Sequence, residues 1–532
     1  MNHFKSRLAT TLLAGALLFG ASQALAEAVL HRGNGGEPKS LDPAHISIDI
    51  EGFVIYDLFE GLTVHDANGN IIAGAAESWK LSDDGTVYTF KIRDSAKWSD
   101  GSPVTAEDFQ FAMRRLEDPK NAAEYANLLY PIKNAEAVNT GKMPLDQLGV
   151  KVIDAKTLEI TLERATPYFL QLMAHYTALP VNKANVEKFG DQWVKPGNMV
   201  NNGAFKLQSH VPNDNLTVVK NDQYWDAKNV KLDKVIFYPI EDDAAAVRRF
   251  EAGELDVTYN FSADQLKRLR DLYKDQVHVD PGLATYYYAF DTRQEPMSDV
   301  RVRKALSMAI DRDFLSNEIY SGAQLPLYSM VPPGMEGYEK PPQPDFAGLS
   351  QIDREDKAVE LMKEAGYGKG GKPLNLEIRY NTNTNHERVA TAIADMWKTT
   401  FGAKVSLVNL DVASHYSYLK EGGKFSVARA GWSADYADPE NFLALTLSTN
   451  TSFNYAHWNN AEFDALMKKS YDEKDVKARM ELMHKAEQIL VDEQPVAPLM
   501  NSANLWLVSS KVSGWGNNPV NEHYSKYLSV SR

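Results

Sequence analysis

Apolar residues recur along this chain with two periods, and the alternation between them predicts a mixed α/β protein. Thr86, Tyr88, Phe90 and Ile92 share one face of a predicted strand over 86–92, and Asp100-Gly101 forms a turn after Trp98. Thr105 then caps a helix, with Asp108 three residues on as an acidic capping-box partner and Phe109, Met113 and Leu116 as its apolar stripe. A second unit of this kind runs from a strand at 235–237 through a helix at 244–252, stopped by Gly253, to a strand at 255–257. After Pro281, helices are predicted over 300–310, over 356–365 ending at Gly366, and over 387–400 ending near Gly402. Strands at 374–380 and 405–408 alternate with them. An amphipathic helix over 475–493 turns Leu482, Met483, Ala486, Ile489 and Leu490 to the core and stops at Gln494-Pro495, before a strand at 505–508. The stretch between Gln324 and Gly348, with Pro332-Pro333-Gly334 and Pro341-Pro342, predicts an extended surface connection.

The first 26 residues have another character. Lys5 and Arg7 precede an apolar run over 8–21 and then Ala24-Leu25-Ala26, the pattern of a cleavable export signal. The run is too short for a membrane anchor, which needs roughly 20 residues. Cleavage after Ala26 leaves 506 residues, more than one hydrophobic core supports, so two or three domains are expected. No cysteine is present, so lipid attachment at an N-terminal cysteine and disulfide stapling are both excluded. The remaining 55 basic and 71 acidic side chains give a formal charge of −16, which disfavours nucleic acid as a partner because cations that would displace phosphate counterions are in deficit.

Catalytic motifs fail on inspection. His386-Glu387 begins like a zinc-protease helix, but position i+4 is Ala390. Gly431-Trp432-Ser433 begins like a nucleophile elbow, yet Asp435 stands where the closing glycine is required. Asp66-Ala67-Asn68-Gly69-Asn70 and Ser82-Asp83-Asp84-Gly85 read as Asx turns, without the spacing of a calcium loop. The most informative stretch is 429–439, which sets Arg429, Trp432, Asp435 and Asp438 near a predicted strand end. Arg429 and Asp435 cannot share a helical face at six residues apart, but they suit opposite ends of a zwitterion such as a peptide. Asp438 is better read as part of an Asp-Pro turn.

Ordered blocks of the chain carry a family resemblance: Asp57-Leu58-Phe59-Glu60-Gly61-Leu62, Ala76-Glu77-Ser78-Trp79, Asp100-Gly101-Ser102-Pro103-Val104-Thr105, Asn202-Gly203-Ala204-Phe205, Tyr286-Tyr287-Tyr288 and Asp299-Val300-Arg301-Val302-Arg303. With the 429–439 stretch, they resemble the extracytoplasmic peptide-binding proteins of ABC transporters, family 5, especially the oligopeptide type. The resemblance implies a two-lobed type II (cluster C-like) periplasmic binding fold with an extra subdomain in the first lobe. The implied layout after a 1–26 signal peptide is a first-lobe core at 27–70 and 191–282, the subdomain at 71–190, a second lobe at 283–500 and a C-terminal return at 501–532. Crossovers fall at Asp280-Pro281-Gly282 and near 494–501.

By similarity, Asp435 pairs with a peptide's α-ammonium, while Arg429, His386 and Lys420 approach its carboxylate. Glu51, Tyr125 and Trp432 fall near the ligand, and the backbone around Gly431 offers β-type hydrogen bonds. Local alternatives stand beside these roles: a turn or cap for Asp435, an internal ion pair for Arg429, a solvated helix start for His386, a surface position for Glu51 and plain packing for Tyr125 and Trp432. The implied protein is a monomeric periplasmic receptor that takes short peptides and delivers them to an inner-membrane permease, with no catalytic residues, cofactor or metal. Murein peptides, dipeptides, opine-like compounds and other small zwitterions are alternative ligands, and an exported hydrolase is the alternative of another class. Relatives carry a disulfide at the positions of Ala284 and Ser433, and its loss here removes only local rigidity.

Overall fold

The computed structural model describes residues 27–531, so the predicted export signal lies outside the described residues. One mixed sheet of eleven strands runs through the molecule. Its backbone is formed by two long antiparallel neighbours, Val277–Phe290 and Val496–Val508. On one side of this pair the path continues through Val257–Tyr259, Val29–Gly33, Lys234–Tyr238, Asn215–Lys220 and Phe205–Val211. On the other side lie Val427–Ser433, Asn375–Asn381 and Lys404–Leu410, and the eleventh strand, Leu325–Pro326, pairs with Val496–Val508 off this path. Helices pack on these two halves, and a four-stranded antiparallel sheet, built from Ala76–Leu81, Val87–Ile92, Thr157–Thr161 and Val150–Asp154, stands apart.

Both long strands change register together. Pro281 faces Ala503, while Thr285 already faces Asn501, so the ladder is broken between them. Pro281 has no N–H to give the ladder. Asn501 closes the gap by donating from Nδ2 to the carbonyls of Gly282 (2.7 Å) and Ala284 (2.8 Å).

The first helix-forming unit follows its sequence. Thr105 N–H donates to Asp108 Oδ2 at 2.8 Å, starting the helix Ala106–Glu117, and Phe109, Met113 and Leu116 are buried. The helices Asp243–Glu251, Val300–Met308, Thr384–Phe401 and Val476–Glu493 lie where periodicity predicts them. Three boundaries differ. The strand predicted at 255–257 is Val257–Tyr259. The helix predicted from 356 is Gln351–Glu364, because Ser350 accepts from Asp353 N–H and starts it one turn earlier. The strand predicted at 505–508 begins at Val496, since pairing with Val277–Phe290 carries it through the polar residues Asn501, Ser502 and Asn504.

The Pro/Gly-rich stretch is not a surface connection. Met330, Val331, Met335, Tyr338 and Phe346 are buried. Glu487, on the helix Val476–Glu493, anchors it by accepting from Val331 N–H (2.7 Å) and from the Tyr338 hydroxyl (2.7 Å). A carboxyl buried in this way is pushed up to about 8, mainly by loss of hydration and against the two hydrogen bonds it accepts.

The C-terminal segment returns to the first half of the molecule. Trp506, Tyr524 and Leu528 join the core of Leu30, Phe53 and Phe237. Lys526 pairs with Glu60 at 2.9 Å and Arg32 donates to the His523 carbonyl at 2.8 Å. Among the described residues, no helix is long and apolar enough to cross a membrane.

Candidate functional site

The strand Val427–Ser433 and the turn after it carry most of the candidate residues. Ala434 N–H donates to the Leu283 carbonyl, and hydrogen-bonded pairs alternate along an antiparallel ladder. Gly431 and Ser433 therefore turn their peptide groups away from Val277–Phe290. The neighbouring strand Asn375–Asn381 reaches only Val427 and Ala428, so this edge is unpaired among the described residues. Ser433 lies in a regular strand rather than on a strand-to-helix elbow, which removes the geometry a serine nucleophile needs.

Asp435 follows directly and faces two cavities, one of about 490 Å³ and one of about 830 Å³. Its Oδ1 accepts from the Tyr125 hydroxyl at 2.6 Å, and its Oδ2 accepts from Asn441 Nδ2 at 3.4 Å. Burial raises its pKa against the lowering effect of these two bonds. Among the described residues no cation pairs with it. Trp432 donates from Nε1 to Asn441 Oδ1 at 2.7 Å, meets Phe453 edge-on and walls the larger cavity. Lys420 lies over Phe453 on the same wall, 5.2 Å from the ring centre.

Tyr125 comes from the segment carrying the separate four-stranded sheet, so its bond to Asp435 ties that segment to the turn after Val427–Ser433. Two further contacts do the same. Gln171 holds Ala437 by accepting its N–H and donating to its carbonyl, and Tyr168 stacks on Tyr436 with ring centres 4.1 Å apart.

Arg429 and His386 line a different cavity, of about 550 Å³. The guanidinium lies over the Tyr286 ring at 4.6 Å and donates from Nη1 to Asn381 Oδ1 and the Tyr416 hydroxyl, both at 3.0 Å. Its Nε is buried without a partner, and no carboxylate pairs with it among the described residues. The proposed internal ion pair is thus missing, and the charge is neutralised by nothing but dipoles and rings. His386 packs against Tyr286, and burial followed by the Arg429 charge lowers its pKa to about 3, so its ring is neutral. Gly431 gives Arg429 its room, since a Cβ there would lie 3.1 Å from Nη2.

Glu51 is placed otherwise than expected. It is buried in the first turn of the helix Asp49–Leu58, where it accepts from the backbone N–H groups of Lys39 (3.1 Å), Ser47 (2.9 Å) and Ile48 (3.3 Å). Its lone pairs are spent on capping, and Asp49 faces the cleft instead. Asp438 is likewise structural, held by Arg479 through a buried two-pronged pair at 2.7 and 2.8 Å. Sequence reading missed Asn381 and Tyr416 around Arg429, and Asp49, Tyr176 and Glu522 around Asp435. None of these lies in a local motif, and only packing brings them in.

Residues 70–454 match the model of Bacterial extracellular solute-binding proteins, family 5 Middle. The chain is 41% identical over 497 residues to the periplasmic murein peptide-binding protein MppA of Escherichia coli K12, covering 93% of this chain and 91% of that one. It is 40% identical over 505 residues to the periplasmic oligopeptide-binding protein OppA of Salmonella typhimurium LT2, covering 94% and 92%. Among solved structures it is similar to the unliganded open form of the MppA murein tripeptide-binding protein, with a TM-score of 0.85 and 40% identity over 95% of this chain and 98% of that one. It is also similar to Haemophilus influenzae OppA in complex with RPPGFSPFR, with a TM-score of 0.79 and 36% identity over 95% and 99%. The fold is therefore that of the two-lobed type II periplasmic binding proteins, and the chain belongs to the bacterial extracellular solute-binding proteins of family 5.

Proposed function

We propose that this chain is the periplasmic substrate-binding component of an ABC peptide importer, holding short peptides between two closing lobes through their termini and backbone. The observation that carries this reading is Asp435: a half-buried carboxylate facing two cavities, with no cation paired to it among the described residues, next to an unpaired strand edge at Gly431 and Ser433. An α-ammonium supplies the missing charge, and an extended peptide supplies the missing strand. Arg429 lies six residues before Asp435, on the strand that ends at Ser433, and lines the separate cavity of about 550 Å³. That separation sets Arg429 toward the carboxylate end of a short peptide whose amine is at Asp435. Trp432 and Lys420 wall the space for side chains.

The lobes assigned are 27–70, 191–282 and 501–532 for the first core, 71–190 for its subdomain and 283–500 for the second, hinged where the two long strands shift register. The protein works as an exported periplasmic monomer that passes peptides to an inner-membrane permease, without cofactor or catalysis. Calorimetry with a free tripeptide, its N-acetylated form and its C-terminal amide tests the reading. Acetylation is expected to weaken binding at least tenfold and amidation to act through Arg429; equal affinity of the free and acetylated forms would remove the amine role of Asp435. Mass spectrometry of a mixed peptide pool after incubation detects any hydrolysis, which would reject a pure receptor.

A further inference from the structure

The 490 Å³ cavity behind Asp435 has a charge balance that one α-ammonium does not satisfy. Asp49, Asp435 and Glu522 all line it, and no lysine or arginine does so among the described residues. Among the described residues, two histidines face it. His65 is spent on Glu522, with Nδ1 2.6 Å from Oε2, and Glu522 also accepts from the Tyr56 hydroxyl at 2.8 Å and the Tyr524 hydroxyl at 3.1 Å. His175 accepts from Thr177 N–H through Nδ1 and is kept neutral by burial, which lowers it to about 4. Asp49 begins the helix Asp49–Leu58 with its side chain exposed to the cavity, and no side chain pairs with it among the described residues.

Two observations beyond the carboxylates point to a ligand. Tyr176 is only 7% exposed and lines the cavity, and its hydroxyl has no hydrogen-bond partner among the described residues. Its ring stacks with Tyr125 at 6.4 Å and packs near Tyr56 at 6.2 Å, which lines the cavity with aromatic faces that attract cations.

We infer that this cavity receives a second positive charge, so that the preferred ligands are peptides whose first residue carries a basic side chain. The α-ammonium occupies Asp435, and the side-chain ammonium turns inward to Asp49, with the Tyr176 hydroxyl as a further acceptor. This inference rests on the peptide reading for the position of the α-ammonium, whereas the demand for two charges comes from the cavity itself.

Calorimetry with Lys-Ala-Ala and norleucine-Ala-Ala, which differ in one charged group at nearly equal side-chain length, tests it on the full protein. Lys-Ala-Ala is expected to bind at least tenfold more tightly, with the ratio falling toward one in Asp49→Asn, a substitution at an exposed side chain. Equal affinities in the unaltered protein, or a ratio unchanged in Asp49→Asn, would overturn it. A thermal-shift series with 1,5-diaminopentane and pentylamine separates this from the peptide reading. If neither tripeptide binds, that reading fails; the charge inference then stands if the diamine stabilises the protein more than the monoamine in an Asp49-dependent way, and falls if it does not.

Discussion

At Asp435, function and stability pull in opposite directions. Its raised pKa means that the empty protein favours the neutral carboxyl, so stability is lost as pH rises past the ordinary value of 3.8 toward the raised one. A bound ammonium favours the anion instead. Affinity for a free-amine peptide is therefore expected to fall as pH drops through that raised value, while the acetylated peptide shows no such dependence; calorimetry across a pH series reads both. Asp435→Asn is expected to flatten the profile and to weaken amine-bearing ligands at least tenfold. Glu51 makes the contrasting case. Glu51→Ala strips acceptors from three backbone N–H groups and is expected to cost about 2 kcal/mol of stability, measured by urea denaturation.

Elements hold the site through a small number of buried polar contacts. Arg479, on the helix Val476–Glu493, fixes the turn after Asp435 by gripping Asp438, and both side chains are almost fully buried. Removing one partner leaves the other charge unpaired, so Arg479→Ala is expected to cost about 3–5 kcal/mol, and a denaturation midpoint checks it. The pair of strands Val277–Phe290 and Val427–Ser433 offers a separate test. Ala284 lies opposite Ser433 in a pair that is not hydrogen-bonded, where side chains approach most closely. The double variant Ala284→Cys and Ser433→Cys is expected to oxidise without reshuffling the ladder, and thiol titration before and after denaturation shows whether it has. Ligand affinity equal in the reduced and oxidised forms would show that the 429–435 stretch is already ordered without the bridge.

For the whole molecule, closure depends on what bridges the lobes. Tyr125, Tyr168 and Gln171 hold Asp435, Tyr436 and Ala437 from a distant part of the chain, and any opening at this point must break those contacts. Gln171→Ala is expected to shift the unliganded population toward open forms, seen as a larger radius of gyration in solution scattering, and to lower peptide affinity by the same factor. Glu487 acts on stability at this scale, because it ties the Pro/Gly-rich stretch to the second half. With its pKa up to about 8 in the fold, stability falls as pH rises from about 4.5 to about 8. Glu487→Gln keeps an acceptor for Val331 and is expected to flatten that slope in denaturation curves.

Periodicity and capping are local, and for that reason the sequence alone determined the α/β class, the Thr105 cap and most of the helices. The ordered blocks and the 429–439 stretch also determined the family, and with it Asp435 and Arg429 as candidate ends of one ligand. Tertiary structure decided what depends on distant partners. The strand Val496–Val508 gains its first nine residues only by pairing with Val277–Phe290, and Val331 and Tyr338 enter the core only because Glu487 receives them. Glu51 was drawn to the site by position, but three backbone N–H groups claim its oxygens. Asp49 and Glu522 lie more than 470 residues apart in the chain and share a cavity only because the C-terminal segment folds back beside the first helix. A charge balance of that kind is a sum over the whole fold, and no stretch of sequence contains it.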